Sequence, residues 1–173
     1  MRTTPTPSRR APRRTLLAAC ALVACGKSPG ERAAEAAIEA STGNKASVDS
    51  EDGTVTLKTD DGEMKIASGE NVKLPASFPK DVYLPKDYVV ESAMEMPGAL
   101  VVSLDTKGKM AALADDAGKQ MAAHGWKQSF SMQNSADSQM TVYEKENRSA
   151  TVSFSTEGDS VKLGLQIATQ QKQ

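Results

Sequence analysis

The chain has 173 residues, with 21 Lys and Arg against 22 Asp and Glu, a formal net charge of −1 and two cysteines. Five arginines and no acid fall in its first 24 residues, so the remaining 149 carry 16 basic and 22 acidic side chains. A body about six charges negative excludes a nucleic-acid or anionic-lipid binder of the basic-patch kind, and its length suits one ordinary domain, or a small one plus a hairpin module.

Arg9, Arg10, Arg13 and Arg14 precede an unbroken apolar run over residues 16–25. A transmembrane helix needs about 20 apolar residues, so this run is too short to span. A basic start, a short apolar middle and small residues at its end is the layout of a secretory signal. The run closes Leu22-Val23-Ala24-Cys25, followed by Gly26-Lys27-Ser28. That ending resembles the lipobox of bacterial lipoproteins, whose Cys is lipidated and becomes the new N-terminus. Leu17-Ala18-Ala19-Cys20 also fits loosely. Cys25 is preferred because the chain stays apolar after Cys20 and turns polar after Cys25. The resemblance implies cleavage between Ala24 and Cys25 and acylation of the Cys25 thiol. Two or three acyl chains make attachment effectively permanent, whereas one binds only marginally. Gly26 rather than Asp after the Cys implies, for a Gram-negative host, export to the outer membrane. Arg13-Arg14-Thr15-Leu16-Leu17 faintly resembles a twin-arginine signal, and a positively charged start of the general secretory route explains it more simply. With Cys20 removed and Cys25 acylated, the folded part has no disulfide, thiol nucleophile or thiolate metal site.

Ser28-Pro29-Gly30-Glu31 opens a helix, with Pro at the first position and a Ser-x-x-Glu capping box. Residues 31–41 are rich in Ala and Glu, and Gly43-Asn44 ends the helix. Its thin apolar stripe, Ala34, Ala37 and Ile38, leaves two roles open: docking on the body, or spacing the body from the membrane. Together with the anchor it spans 25–45. A β-hairpin is predicted over 46–67, turning at Asp60-Asp61-Gly62, with 46–49 offering a third strand. A lone hairpin is marginal in water, so it must pair with the domain C-terminal to it.

Residues 68–86 form a linker loop with Pro75, Pro79 and Pro85, whose Phe78, Tyr83 and Leu84 predict a loop pinned onto the body. The body spans 87–168. Strands at 88–96 and 99–104 join at Pro97-Gly98. Asp105 or Thr106 then caps a helix over 107–124, whose apolar face is Met110, Leu113, Ala114, Ala117 and Met121. Gly125 stops it, and Trp126 takes the apolar position of a Schellman cap. Four more strand signals come after it, near 126–132, 140–143, 150–154 and 161–167, with turns at 134–138, 146–148 and 157–159. The expected fold is α+β: an antiparallel sheet of order β-β-α-β-β-β-β, one main helix on one face and the other face wet. Thr151, Ser153, Ser155, Lys162 and Gln166 line that wet face. The tail, 169–173, is polar.

Little in the chain carries chemistry. His124, the only histidine, sits in the last turn of the main helix, where the helix dipole accounts for it. Asp49-Ser50-Glu51-Asp52-Gly53 and Asp60-Asp61-Gly62-Glu63 do not match an EF-hand loop and read as hairpin turns. Asp115 and Asp116 point about 100° apart on a solvated helix face. No nucleophile-elbow or phosphate-cradling motif is present. Met94-Glu95-Met96 puts two thioethers on one strand face, and the methionines read as core filler. No catalytic residue, metal ligand or cofactor is assigned. The only site residues are Cys25 for lipidation and Ala24-Cys25 for cleavage.

The chain resembles small, mostly uncharacterised envelope lipoproteins of Gram-negative bacteria. The signal and lipobox carry that likeness, joined by Phe78-Pro79-Lys80-Asp81-Val82-Tyr83-Leu84-Pro85 and Gly125-Trp126. It implies a non-catalytic, periplasm-facing protein, held in the membrane by lipid at Cys25, that binds an envelope protein partner through its wet face or a strand edge. The alternative is a small-ligand or metal-ion binding module using the space between hairpin and body. An enzyme is not expected.

Overall fold

The computed structural model describes residues 27–170. Helix α1 (Pro29–Thr42) leads into strands β1 (Lys45–Asp49), β2 (Thr54–Thr59) and β3 (Gly62–Ser68). Strands β4 (Val89–Met96) and β5 (Ala99–Thr106) come next, then helix α2 (Met110–Ala123). Strands β6 (Lys127–Ser135), β7 (Ser138–Lys145), β8 (Arg148–Glu157) and β9 (Ser160–Thr169) complete the chain. All nine strands form one antiparallel sheet, ordered β1-β2-β3-β4-β5-β9-β8-β7-β6. The protein is therefore α+β with the main helix on one face, as its sequence implies. The three N-terminal strands join the body because β3 pairs with β4 from Lys65↔Glu95 to Ser68↔Ser92.

Strict alternation makes the sheet two-faced. On one face Leu100, Val102 and Leu104 of β5 are buried with Val161, Leu163, Leu165 and Ile167 of β9, and with Ala150, Val152 and Phe154 of β8. Fully burying such an aliphatic side chain contributes about 1.5–3 kcal/mol. Ala117 and Met121 of α2 complete this core, with Leu113 and Ala114 packed against it. Gly125 has φ +82°. The Gly125 amide donates to Ala122 O at 3.0 Å and the Trp126 amide to Met121 O at 3.0 Å, the two bonds of a Schellman stop.

The start of α2 departs from expectation. Neither Asp105 nor Thr106 caps it; the N-cap is Lys109, without a side-chain cap bond. The reason is that β5 runs on to Thr106, whose pairing with Val161 holds it in the sheet. The Thr106 hydroxyl donates instead to Asp87 O at 2.6 Å, and Asp105 points to the opposite face. Likewise β6 extends to Ser135, which shortens the expected turn to Ala136 and Asp137.

The segment between β3 and β4 lies across the core. Val72, Phe78, Val82 and Tyr83 are buried beside α2 and the sheet. One carboxylate secures it. Asp81 accepts from Lys145 Nζ at 2.7 Å and from both terminal nitrogens of Arg148 at 2.6 and 3.0 Å. The Asp81 backbone carbonyl accepts the Trp126 indole N–H at 2.7 Å. The Arg148 guanidinium in turn lies 4.9 Å from the Trp126 ring centroid, a cation–π contact of about 0.5–2 kcal/mol. Arg148 and Lys145 hold the Asp81 carboxyl well below its usual range, against the cost of its partial burial.

Asp81→Asn removes the charge and half of the fork. Unfolding free energy is expected to fall by about 2 kcal/mol at neutral pH, the worth of charged hydrogen bonds. Because the folded carboxyl binds its proton more weakly than the unfolded one, its contribution is present above about pH 4 and is lost as pH falls below that. Denaturant titrations between about pH 7 and 3 should therefore show a smaller acid loss in Asp81→Asn than in the parent, and equal slopes would refute the clasp. The Tyr83 hydroxyl is buried, has no hydrogen-bond partner among the described residues, and is pushed up to about 12 by burial, with the Asp116 charge adding to it. Tyr83→Phe should therefore leave thermal stability unchanged or raise it, where removing a bonded buried hydroxyl would cost about 1 kcal/mol.

Candidate functional site

The face of the sheet turned away from α2 and the buried loop presents the candidate site. The strand registers align its side chains in rows that cross every strand. One row reads Val48, Val55, Ile66, Met94, Val101, Gln166, Thr151, Val142, Phe130, and seven of its nine positions are apolar. Eight strand spacings of about 4.8 Å make it about 38 Å long. The next row reads Ser68, Ser92, Ser103, Gly164, Ser153, Met140, Met132. A Cβ at Gly164 would lie 2.5 Å from Ser153 Oγ, so any larger residue there forces the Ser153 hydroxyl to turn.

A third row carries charge: Val89, Asp105, Lys162, Ser155. Lys162 Nζ bonds Glu91 and lies 3.0 Å from Asp105 and 3.9 Å from Glu157. Glu91 reaches this face because the ladder shifts between Val90 and Ser92, which frees it as a bulge. The Glu91 and Asp105 carboxylates raise the Lys162 ammonium, in that order. Lys162, then Ser160, lower the Asp105 carboxyl. This network ties β4, β5 and β9 together through one ammonium shared among three carboxylates, which leaves it net negative.

The two edges of the sheet differ. At β1, helix α1 lies alongside the strand and presents Glu31, Glu35 and Glu39. These accept from the outward amides of Ser50 at 2.9 Å, Val48 at 2.8 Å and Ala46 at 3.0 Å. The match is geometric: four helix residues advance about 6 Å and two strand residues about 6.8 Å. Glu31 also closes the expected capping box with Ser28. The Ser50 and Ser28 amides together hold its carboxyl at about 2. Ala34 and Ile38 are half-buried, while Ala37 is exposed. At the other edge, every residue of β6 is exposed, Phe130 by 49% and Met132 by 41%.

Thr151, Ser153, Ser155, Lys162 and Gln166 do lie together on the open face. Ala24 and Cys25, with the whole leader, lie outside the described residues. Among those described, no helix is long and apolar enough to cross a membrane, and no three His, Cys, Asp or Glu side chains are grouped as a metal site. His124 is exposed at the C-cap of α2. Asp115 pairs with Lys119 at 2.6 Å, and Asp116 accepts from Gln120 at 3.0 Å. Asp49 accepts from the Glu51 and Asp52 amides, a local turn. Met94 and Met96 share the open face. Between hairpin and body lies an open cavity of about 260 Å³, lined by Asp52, Lys65, Lys73 and Glu95 among others, below the roughly 300–1,000 Å³ of small-molecule sites. The Glu ladder, the Glu91 bulge and the Asp81 fork are the interactions that periodicity alone did not reveal.

No family model matches the chain, and no curated protein matches it. Among solved structures, cyanobacterial PsbP (CyanoP) from Synechocystis sp. PCC 6803 aligns over 74% of this chain and 81% of its own. The TM-score is 0.38 and the identity 11%. A likeness that distant carries no argument about this chain.

The Glu ladder has a direct readout. Glu35→Ala should speed hydrogen exchange of the Val48 amide several-fold while leaving Val102 and Leu163 in the central strands unchanged. In the parent chain the Ser50 amide should lose protection in acid: the depressed Glu31 carboxyl supports it above its free value of 4.5, and that support fades as pH falls through about 2. Unaltered Val48 exchange in the variant would refute the ladder.

Proposed function

We propose that this chain is a lipid-anchored, periplasm-facing protein of the cell envelope that acts without catalysis, by docking another envelope protein. Acylation at Cys25 after cleavage behind Ala24 holds it in the membrane, and the Gly26 that follows directs it to the outer membrane. The observation that carries the docking role is the sheet face, left uncovered by the described residues, with its apolar row from Val48 to Phe130. Its partner is a protein surface with an apolar ridge. An extended open sheet face takes a macromolecule rather than a small molecule, which needs a concave site that buries most of its surface. The flanking Ser and Gly row lets a partner's backbone approach closely, because nothing longer than a hydroxymethyl group stands between Ser68 and Ser153.

Two measurements test this. Cys25→Ser should abolish palmitate incorporation and release the protein from the membrane fraction; an unacylated parent chain would remove the anchor. A photoreactive residue at Thr151 or Gln166, in the middle of the apolar row, should crosslink in intact cells to one distinct protein. The same residue at Asp115, on the solvent side of α2, should not. Equal labelling at all three positions, or a small molecule recovered in place of a protein, would overturn the docking role.

A further inference from the structure

We propose that β6 pairs with β6 of a second copy, antiparallel about a twofold axis at Ser131, so that the two sheets become one. The proposal does not depend on what docks on the open face. Its first support is the asymmetry of the edges. A strand edge with unpaired backbone groups is a template for another strand. At β1 the amides of residues 46, 48 and 50 are already taken by Glu39, Glu35 and Glu31. A β1-to-β6 contact between copies would build an open filament, and this ladder blocks it. Among the described residues only β6 is left as a free edge, and an edge that meets its own copy closes as a dimer.

The second support is charge. Between Gln128 and Ser135 the edge strand bears no charged residue, in a chain whose body is otherwise acidic, so two copies meet there without like charges opposed.

The third is register. The ladder of β6 on β7 is regular only from Phe130 to Gln133, between irregularities at Gln128/Phe130 and Gln133/Ser135. A twofold axis perpendicular to the sheet keeps each side chain on its own face. It therefore places one residue opposite itself. Centred on Ser131, it sets Phe130 against Met132 of the second copy, and Met132 against the second Phe130. Both side chains are on the open face, since their β7 partners Val142 and Met140 are. The register thus covers both exposed apolar side chains of the strand with a sulfur–aromatic contact on each side. Lys127 falls opposite Ser135. A single strand pair lies at the low end of interface sizes, below roughly 1,200 Å², so the dimer is a concentration-dependent one.

The test uses the full chain in intact cells. Ser131→Cys places one thiol opposite its own copy, and mild oxidation should yield a reducible dimer. Ser47→Cys, on the β1 edge, should stay monomeric. The parent chain extracted in detergent should sediment as a dimer at high concentration, and Ser131→Lys, which opposes two ammonium groups, should return it to monomer with its circular dichroism unchanged. If Ser131→Cys fails to fold, co-expressed Phe130→Cys and Met132→Cys chains should crosslink to each other more than either does to itself. A monomer under these conditions, an adduct to a different protein, or a ladder of higher oligomers each overturns the proposal. None of these outcomes alters the crosslinking expected at Thr151 and Gln166, so the two readings fail separately.

Discussion

The fork of Asp81 onto Lys145 and Arg148 is the constraint on which the covered face depends. A 14-residue helix such as α2 is about 21 Å long, whereas the nine-stranded sheet is about 38 Å wide. One helix cannot cover it. The segment between β3 and β4 supplies the rest of the cover, with Val72, Phe78, Val82 and Tyr83. A loop of that kind has no ladder of its own to resist conformational entropy, which costs about 1–2 kcal/mol per ordered residue. It is held by apolar burial along its length and by one charged anchor in its middle. The anchor grips both the loop's backbone, through the Trp126 indole, and its side chain, through Arg148. Because Arg148 also lies over Trp126, the stop of α2, the start of β8 and the loop close on one point.

That cover is one-sided, and the consequence reaches the edges. A sheet whose second face is open must deal with exposed strand ends by other means than wrapping. At β1 the solution is electrostatic: three carboxylates on one stripe of α1 accept the outward amides. Helix α1 buries no residue fully, so it owes its place to those bonds and to the half-buried Ala34 and Ile38. Among the described residues the β6 edge has no such cover, and its irregularities limit the regular template to four residues. The two edges are thus asymmetric by construction.

Alternation and turn chemistry made most of the fold legible. The 2-residue period located the body strands, the 3.6 period gave Met110, Ala117 and Met121 as the buried side of α2, and Gly125-Trp126 gave its stop. What failed was local. Asp105 and Thr106 have the side chains of helix caps, but their pairing with Lys162 and Val161 competes for the same residues and wins. The Glu31, Glu35, Glu39 spacing is visible in the sequence, yet its meaning lies in amides of a strand that exists only by pairing with β2. Asp81 stands more than 60 residues from both Lys145 and Arg148, and no period connects them. The open-face rows were half legible: Thr151, Ser153, Lys162 and Gln166 follow from alternation, whereas the apolar continuation through Met94, Ile66 and Val55 needs the register between β3 and β4.

The composition of those rows bears on which surfaces the open face can accept. The apolar row is interrupted at its middle by Gln166 and Thr151, on β9 and β8. It is bounded on one side by serines and then by the Lys162 network. Most of its members are only half-exposed, sheltered by cross-strand neighbours, so the apolar area offered is spread as a narrow stripe rather than gathered into a patch. A narrow stripe gains little from a random partner, because a convex or ragged surface meets it at one or two side chains. It gains much from a partner whose apolar ridge follows the twist of the sheet over a similar length. The Lys162 network adds to the discrimination. Its single ammonium is shared among three carboxylates, which leaves the cluster net negative, so an apolar or acidic partner that intrudes there breaks paired charges or meets like charge.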